Sequence, residues 1–319
     1  MIEVNGLRKS YGEKQAVRGI SFRVDSGEIV GLLGLNGAGK STTMNCLTGC
    51  IAPTAGTITV DGHDIVRDPM AAKKLIGYLP EVFAFYPDMR VEEYLDFVCD
   101  LKGVTKDRTA RREHIHTVCR KVGVEHMASR MIRNLSKGYK QRVGFAQALI
   151  GNPRVLILDE PTVGLDPSQV LDIRQLVRDA GKESLVIVSS HILSEIQTIC
   201  SRVIILRDGE IAADASTGEL KRRFESNSRM TVRIKGGSAD IEKVLARIPE
   251  VSEFSRLMPK EPGTEEYRIV GRRGSDIREG LFRALAAAEL PLLNTYGGEL
   301  SLEDIFLQLT GSAGKGESR

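Results

Sequence analysis

Lys40 and Ser41 sit in the run Gly34-Leu35-Asn36-Gly37-Ala38-Gly39-Lys40-Ser41-Thr42, which fits the spacing G-x-x-x-x-G-K-[ST]. Glycines so placed let the backbone curl until successive N–H groups point at phosphate oxygens, and a following helix adds the positive end of its dipole. Lys40 is suited to reach β- and γ-phosphates, and Ser41 to give its hydroxyl to Mg²⁺. The flanks agree. A β-rich apolar run, Ile29-Val30-Gly31-Leu32-Leu33, leads in, and the helix-compatible Thr42-Thr43-Met44-Asn45-Cys46-Leu47 leads out. Strand, loop, helix is the context the motif requires. Taken alone, the loop implies nucleotide binding and nothing narrower.

A second group of chemical residues closes Val155-Leu156-Ile157-Leu158-Asp159-Glu160. Four β-favouring apolar residues in a row predict a strand buried on both faces, and carboxylates at its carboxyl end lie where open parallel sheets bind ligands. Asp159 fits a residue that holds Mg²⁺, usually through water. Glu160 is then placed to polarise a water attacking the γ-phosphate.

Further motifs follow in a fixed order, and together they resemble the ATP-binding cassette (ABC) of transporter ATP-binding subunits. Leu135-Ser136-Lys137-Gly138-Tyr139-Lys140-Gln141-Arg142 is similar to the cassette signature, usually Leu-Ser-Gly-Gly-Gln. Pro161-Thr162-Val163-Gly164-Leu165-Asp166-Pro167 is similar to the loop with the dimer-contact aspartate, and Ser189-Ser190-His191 to the segment with the switch histidine. Tyr11 matches the aromatic residue that stacks on adenine. The resemblance covers roughly residues 1–220, and no Asn-Lys-x-Asp guanine-reading motif occurs. It implies an α/β P-loop NTPase cassette with a helical subdomain, binding ATP and Mg²⁺. In that scheme Ser136 and Gly138 contact ATP held by the glycine loop of a second protomer, in a head-to-tail homodimer, and His191 contacts the γ-phosphate or orients Glu160.

This chain departs from the family pattern in two places. Lys137 replaces the first signature glycine and Tyr139 the glutamine; the lysine either adds attraction to phosphate or restricts how closely two protomers approach. In Gly77-Tyr78-Leu79-Pro80-Glu81, Glu81 stands where glutamine is usual. When ionised it can only accept, so it can still touch Mg²⁺ but cannot donate as an amide does. Both variants look like those of a branch whose motors pair with separately encoded export permeases.

The elements that must position these groups can also be read. Residues 1–33 alternate like short strands, and 54–66 read as a strand pair about Asp61-Gly62. From about Tyr86 to Gly151 the period turns helical. Val91, Tyr94, Leu95 and Val98 share one face, and Ile115, Val118 and Val122 another. Ser136 is a good N-cap for a helix carrying Val143, Ala146 and Ile150, stopped by Gly151 and Pro153. A helix opened by Asp166 and Pro167 and a strand Leu185–Ser190 follow. After a hairpin at Asp208-Gly209 and a helix Thr217–Phe224, the polar Glu225-Ser226-Asn227-Ser228 is read as the boundary between residues 1–224 and 229–319. The remainder predicts a small α+β domain in the order βαββαβ, with a last helix at 301–309. Its Ser301-Leu302-Glu303-Asp304-Ile305-Phe306 is similar to the tails of drug-export motors, which implies a regulatory or dimer-supporting appendage.

Composition narrows the class. With 319 residues, 41% of them hydrophobic, the chain can fill a large core and a smaller one. Its 45 basic and 42 acidic residues give only +3, so no nucleic-acid partner is expected; Arg111-Arg112 and Lys221-Arg222-Arg223 are read as solvated helix faces. Met1-Ile2-Glu3-Val4-Asn5 has no basic n-region, and no stretch approaches about 20 apolar residues, so neither signal peptide nor spanning helix is expected. None of the five cysteines forms a C-x-x-C pair. Cys46 and Cys50 are read as buried on one helix, and His114 and His116 as an exposed helix face rather than a metal pair. The function the resemblance implies is the ATP-hydrolysing motor subunit of an exporter, cytoplasmic and peripheral on the inner face of the cell membrane, coupling ATP-driven homodimer closure to a separate integral membrane permease. The alternative is a soluble ABC-type ATPase acting on nucleic acid or ribosomes. DNA-repair members carry a long coiled-coil insertion and translation factors usually two cassettes, and this chain has neither.

Overall fold

The glycine loop connects the middle of one sheet to a helix that shares its core with a second sheet. The computed structural model describes residues 1–224, 227–273, 275–296, 305–306 and 309–310. The chain begins with β1 (Ile2–Tyr11), β2 (Lys14–Val24), β3 (Ile29–Leu33), α1 (Lys40–Leu47), β4 (Ala55–Val60), β5 (His63–Asp64), α2 (Pro69–Leu75) and β6 (Ile76–Leu79). The helical segment holds α3 (Val91–Lys102), α4 (Arg108–Lys121) and α5 (Lys137–Leu149). Then come β7 (Val155–Asp159), α6 (Pro167–Gly181), β8 (Leu185–Ser190), α7 (Leu193–Ile199), β9 (Arg202–Arg207), β10 (Glu210–Ser216) and α8 (Thr217–Phe224).

Strands β2-β1-β4-β5 form an antiparallel sheet, and β10-β9-β3-β8-β7-β6 a second one that is parallel from β9 to β6. Ile2, Val4, Ile58 and Val60 of the first sheet share one core with Met44 and Leu47 of α1 and Val30, Ile157 and Ile187 of the second. Every residue of β7 and β8 is buried, as two-faced cover demands. Their carboxyl ends bring Asp159 opposite Ser189. The hairpins at Asp61-Gly62 and Asp208-Gly209 put both turn residues at positive φ, as a tight two-residue turn between twisted strands requires.

In the helical segment the predicted faces are buried: Val91, Leu95 and Val98 on α3, Ile115 and Val118 on α4, Val143 and Ala146 on α5. Ser136 caps α5, its Oγ accepting from the Tyr139 N–H, and Asp166 caps α6, accepting from the Gln169 N–H at 2.9 Å. Arg142 of α5 donates to the Val122 carbonyl at the end of α4 and pairs with Asp172 of α6 at 2.5 Å, so α5 is braced from both sides.

Three surface readings need correction. Cys50 does not share α1 with buried Cys46, because the helix ends at Leu47 and Gly49, at φ 66, turns the chain outward; Cys50 is exposed. Arg111 is no solvated residue, since it bridges to Asp96 and Asp100 of α3 and donates to the Thr105 carbonyl; Arg112 is exposed. His116 is exposed beside Glu125, but His114 is half-buried with Nε2 3.1 Å from the Gly151 N–H. The side chains of Lys221, Arg222 and Arg223 lie outside the described ones.

Burial, aided by Lys121, holds the His114 pKa below its ordinary 6.5. The folded chain therefore takes up this proton later than the unfolded chain, and the associated stability is lost as pH falls from 6.5 through the lowered folded value. His114→Gln keeps an acceptor for Gly151 without titrating. Thermal melts at about pH 7.5 and about pH 5.5 should show a smaller acid loss for the variant than for the wild type; equal losses would remove His114 from the pH response.

The chain divides after Thr217 into two compact units, the first also taking in Leu309. This lies ahead of the expected polar boundary, of which 225–226 are outside the described residues and Asn227 and Ser228 already open a strand. The second unit contains β11 (Asn227–Lys235), α9 (Ser238–Leu245), β12 (Val251–Leu257), β13 (Thr264–Arg273), α10 (Arg278–Ala287) and β14 (Leu292–Tyr296), in the expected βαββαβ order. Its antiparallel sheet runs β12-β13-β11-β14, with Val232, Ile234, Tyr267 and Ile269 packed on Ile241, Leu245, Leu281 and Leu285 of the two helices. The expected terminal helix falls largely outside the described residues, of which Ile305, Phe306, Leu309 and Thr310 are helical.

Candidate nucleotide site

Gly39 stands at φ 105 immediately before α1, where a Cβ would come within 2.7 Å of the Ala16 carbonyl of β2, so only glycine fits. Around this turn lies an open cleft of about 380 Å³. Its walls include Asn36, Gly37, Gly39, Lys40, Ser41 and Thr42 from the loop and α1, together with Tyr11, Glu81, Glu160 and His191. Gly34, Leu35 and Ala38 complete the loop without lining the cleft. Gly34 and Leu35 serve through their carbonyls, which accept from Lys40 Nζ at 2.8 and 3.4 Å, and Ala38 is buried beneath.

Tyr11, at the end of β1, is 51% exposed, and Lys9 Nζ stands 5.3 Å from its ring centre. An exposed aromatic face at a cleft mouth is suited to stacking on a base. Deeper in, Lys40 is 6% exposed and 4.0 Å from a Glu160 carboxylate oxygen. Burial lowers its pKa, against the attraction of Glu160, Asp159 and Glu81. Asp159 shifts the other way: burial raises it, Ser189 opposes, and repulsion from Glu81 and Glu160 adds to the rise.

Glu160 adopts φ 49, a left-handed conformation that a non-glycine residue holds only when its surroundings enforce it. Ser189 supplies that enforcement from the neighbouring strand. Its Oγ accepts the Glu160 N–H at 2.9 Å and donates to Asp159 Oδ1 at 2.5 Å, so one hydroxyl fixes both acidic residues. The Glu160 carboxylate meets His191 Nδ1 at 2.9 Å. From α5, Gln141 Nε2 donates to the Pro161 carbonyl at 2.6 Å, holding the turn that follows.

The sequence reading assigned nothing to Ser189 or Gln141 individually. Ser189 could have been found by aligning the predicted strands so that their polar ends meet. Gln141 could have been found as a polar residue on the helical face that carries Phe145 and Ala148, which the structure buries.

Ser136 and Gly138 do not join this cleft. They line another, of about 250 Å³, with Gly123, Tyr139, Arg142 and Gln169. Lys137 turns onto the loop after Glu160, where its Nζ lies over Gly164, a glycine at φ 70 in the left-handed region that favours this residue. Tyr139 OH lies 3.2 Å from His126 Nε2.

Among the described residues no cluster of three His, Cys, Asp or Glu side chains could hold a metal unaided. Mg²⁺ is usually held by one or two carboxylates plus substrate phosphates. The hard oxygen donors of Asp159, Glu81 and Ser41, and the mutual repulsion around Asp159, fit such an ion.

A phosphate-cradling loop between a parallel strand and a helix, with carboxylates at the end of β7, one strand removed from β3 in the same sheet, defines a P-loop nucleotide-hydrolysing domain. The family described as "ABC transporter" matches residues 17–163. The chain is similar to the Bacillus subtilis uncharacterized ABC transporter ATP-binding protein YxlF, at 34% identity over 97% of this chain and 99% of the relative. It is also similar to the linearmycin resistance ATP-binding protein LnrL of the same organism, at 32% over 98% of each, and to the bacitracin transport ATP-binding protein BcrA of Bacillus licheniformis, at 31% over 98% and 97%. A solved dimeric bacterial ABC transporter cassette aligns with TM-score 0.62 and 27% identity over 68% of this chain and 98% of that one. A post-hydrolysis dimer bound to ADP and Pi aligns with TM-score 0.62 at 26% identity, over the same shares. The chain thus belongs to the ATP-binding proteins of ABC transporters, and it is an ATPase.

Proposed function

We propose that this chain is the motor subunit of an exporter, in which two copies close head to tail on two MgATP and reopen after hydrolysis, driving a separate membrane permease. The observation that carries the dimer is the separation of clefts within one chain. The cleft with Ser136 and Gly138 shares no residue with the cleft around Lys40, Ser41, Glu160 and His191. A second copy offers each phosphate-loop cleft the capped N-terminus of α5 that its own chain directs elsewhere. The dimeric cassette among the solved relatives supports that arrangement.

In this reading Tyr11 stacks on adenine, the N–H groups of Asn36 to Thr42 and the Lys40 ammonium hold the phosphates, and Ser41, Asp159 and Glu81 hold Mg²⁺. The ion, when bound, neutralises charge on the phosphoryl group. Glu160 takes the proton of the attacking water, with His191 orienting its carboxylate. The second unit acts as a regulatory or dimer-supporting appendage. Export is favoured by the resistance and transport roles printed in the names of LnrL and BcrA. Among the described residues no helix is long and apolar enough to cross a membrane; in this reading the separate permease holds the chain at the inner membrane face.

Affinity purification of the native chain from solubilised membranes tests the coupling. Expected is recovery of a polytopic partner whose presence, with an exported compound, raises ATP turnover. Recovery with ribosomes and no membrane protein would overturn the transport reading.

A further inference from the structure

Glu195 is buried in α7, 9% exposed, and none of the roles above uses it. One of its oxygens, Oε2, accepts from two hydroxyls on different segments. Thr162 Oγ1, two residues beyond Glu160, lies at 2.5 Å, and Ser190 Oγ, next to His191, at 3.4 Å. Ser190 Oγ also accepts the Ile192 N–H at 3.0 Å, closing the turn from which His191 projects. Thr162 and Ser190 are themselves 7% and 1% exposed. A carboxylate at this depth costs free energy unless its hydrogen bonds are made, so it holds its two partners in place more firmly than a neutral contact would.

We propose that Glu195 is a positioning residue for ATP hydrolysis: it binds the turn after Glu160 to the turn bearing His191 and so sets the His191 Nδ1 to Glu160 Oε2 contact. The proposal rests on the reading of Glu160 as the base. The contact it sets joins two segments 31 residues apart in sequence, and His191 itself is 46% exposed. Almost half of that side chain is open to solvent, so the geometry of its turn contributes to where the ring points.

The test is a set of full-length variants assayed for ATP affinity and for turnover. Glu195→Ala should lower kcat by about tenfold to a hundredfold, the range expected when a reacting group is displaced by an ångström. ATP affinity should stay within about twofold, because the glycine loop and Lys40 are untouched. Thr162→Val removes one hydroxyl at nearly constant volume and should lower kcat in the same direction. The double variant should be no slower than Glu195→Ala, since both changes break one contact. Glu195→Gln, which still offers an oxygen to Thr162, should restore most of the rate. On a Glu160→Gln background, Glu195→Ala should leave the residual rate unchanged.

Equal losses of affinity and turnover, or full additivity with Thr162→Val, would overturn the proposal. If Glu195→Ala does not fold, Thr162→Val decides: a folded variant with wild-type kcat overturns it, and reduced kcat with retained affinity supports it. The two levels fail separately. Undiminished turnover in Glu160→Gln strikes the base assignment, whereas an inactive Glu160→Gln beside a fully active Glu195→Ala strikes only the positioning role.

Discussion

Glu160→Gln should bind MgATP at least as well as the wild type and hydrolyse it on the order of a hundredfold to ten-thousandfold more slowly. The substitution preserves the size of a side chain that is 7% exposed, so the cleft wall stays in place. It removes only the charge and the basicity. Lys40 Nζ, 4.0 Å from a Glu160 oxygen, keeps its hydrogen bond to the Gly34 carbonyl and remains available to phosphate. Loss of the Glu160 charge itself favours the approach of a polyphosphate anion, while burial, the main cause of the raised Asp159 pKa, is unchanged. Binding contacts therefore persist while water activation is lost. Equilibrium titration with ATP, followed by single-turnover hydrolysis on the same protein, separates the two effects. Turnover near the wild-type value in the folded variant would end the assignment of Glu160 as base.

Local sequence signals account for most of the cassette because each sits beside the feature it controls. The glycine loop, the apolar runs of β7 and β8, the caps Ser136 and Asp166 and the Asp-Gly hairpins are legible from a few neighbouring residues. Features that need two distant segments were not. Ser189 acquires its meaning from strand register opposite Asp159, and Glu195 from Thr162, 33 residues earlier. The misread surface residues failed for a related reason. Arg111 and His114 lie on a charged helix whose period looks solvated, yet α3 and the turn after α5 cover part of it. Helical period reveals which face is apolar but not which polar residues a neighbouring element will cover. Cys50 was lost to a helix end, where Thr48 and Gly49 stop α1 before the expected turn is complete.

The largest loss and recovery are expected from mixing two inactive proteins, Lys40→Ala and Ser136→Arg. Lys40→Ala removes the ammonium that lies over the loop carbonyls and would meet phosphate, so its homodimer should lose at least about a hundredfold in turnover. Ser136→Arg places a large cation at the N-terminus of α5 and removes the hydroxyl that accepts from the Tyr139 N–H. The lost cap costs about 1 kcal/mol, which a thermal melt will register and a core of this size tolerates. Its homodimer should be similarly inactive, because each phosphate-loop cleft would face an obstructed signature. In a mixed dimer, however, the intact loop of the Ser136→Arg chain meets the intact signature of the Lys40→Ala chain. One site of two is then complete in each mixed dimer, and random pairing makes half the dimers mixed, so independent sites give about a quarter of wild-type turnover. Differently tagged chains let the mixed species be isolated and assayed directly. No activity in an isolated mixed dimer would mean either that the signature does not serve the opposite chain or that both sites must fire together. Repeating the assay with one wild-type chain and one double mutant, Lys40→Ala with Ser136→Arg, separates these. Such a dimer has no complete site if sites are shared in trans, but has one complete site if each chain completes its own, so turnover there would overturn the head-to-tail dimer itself.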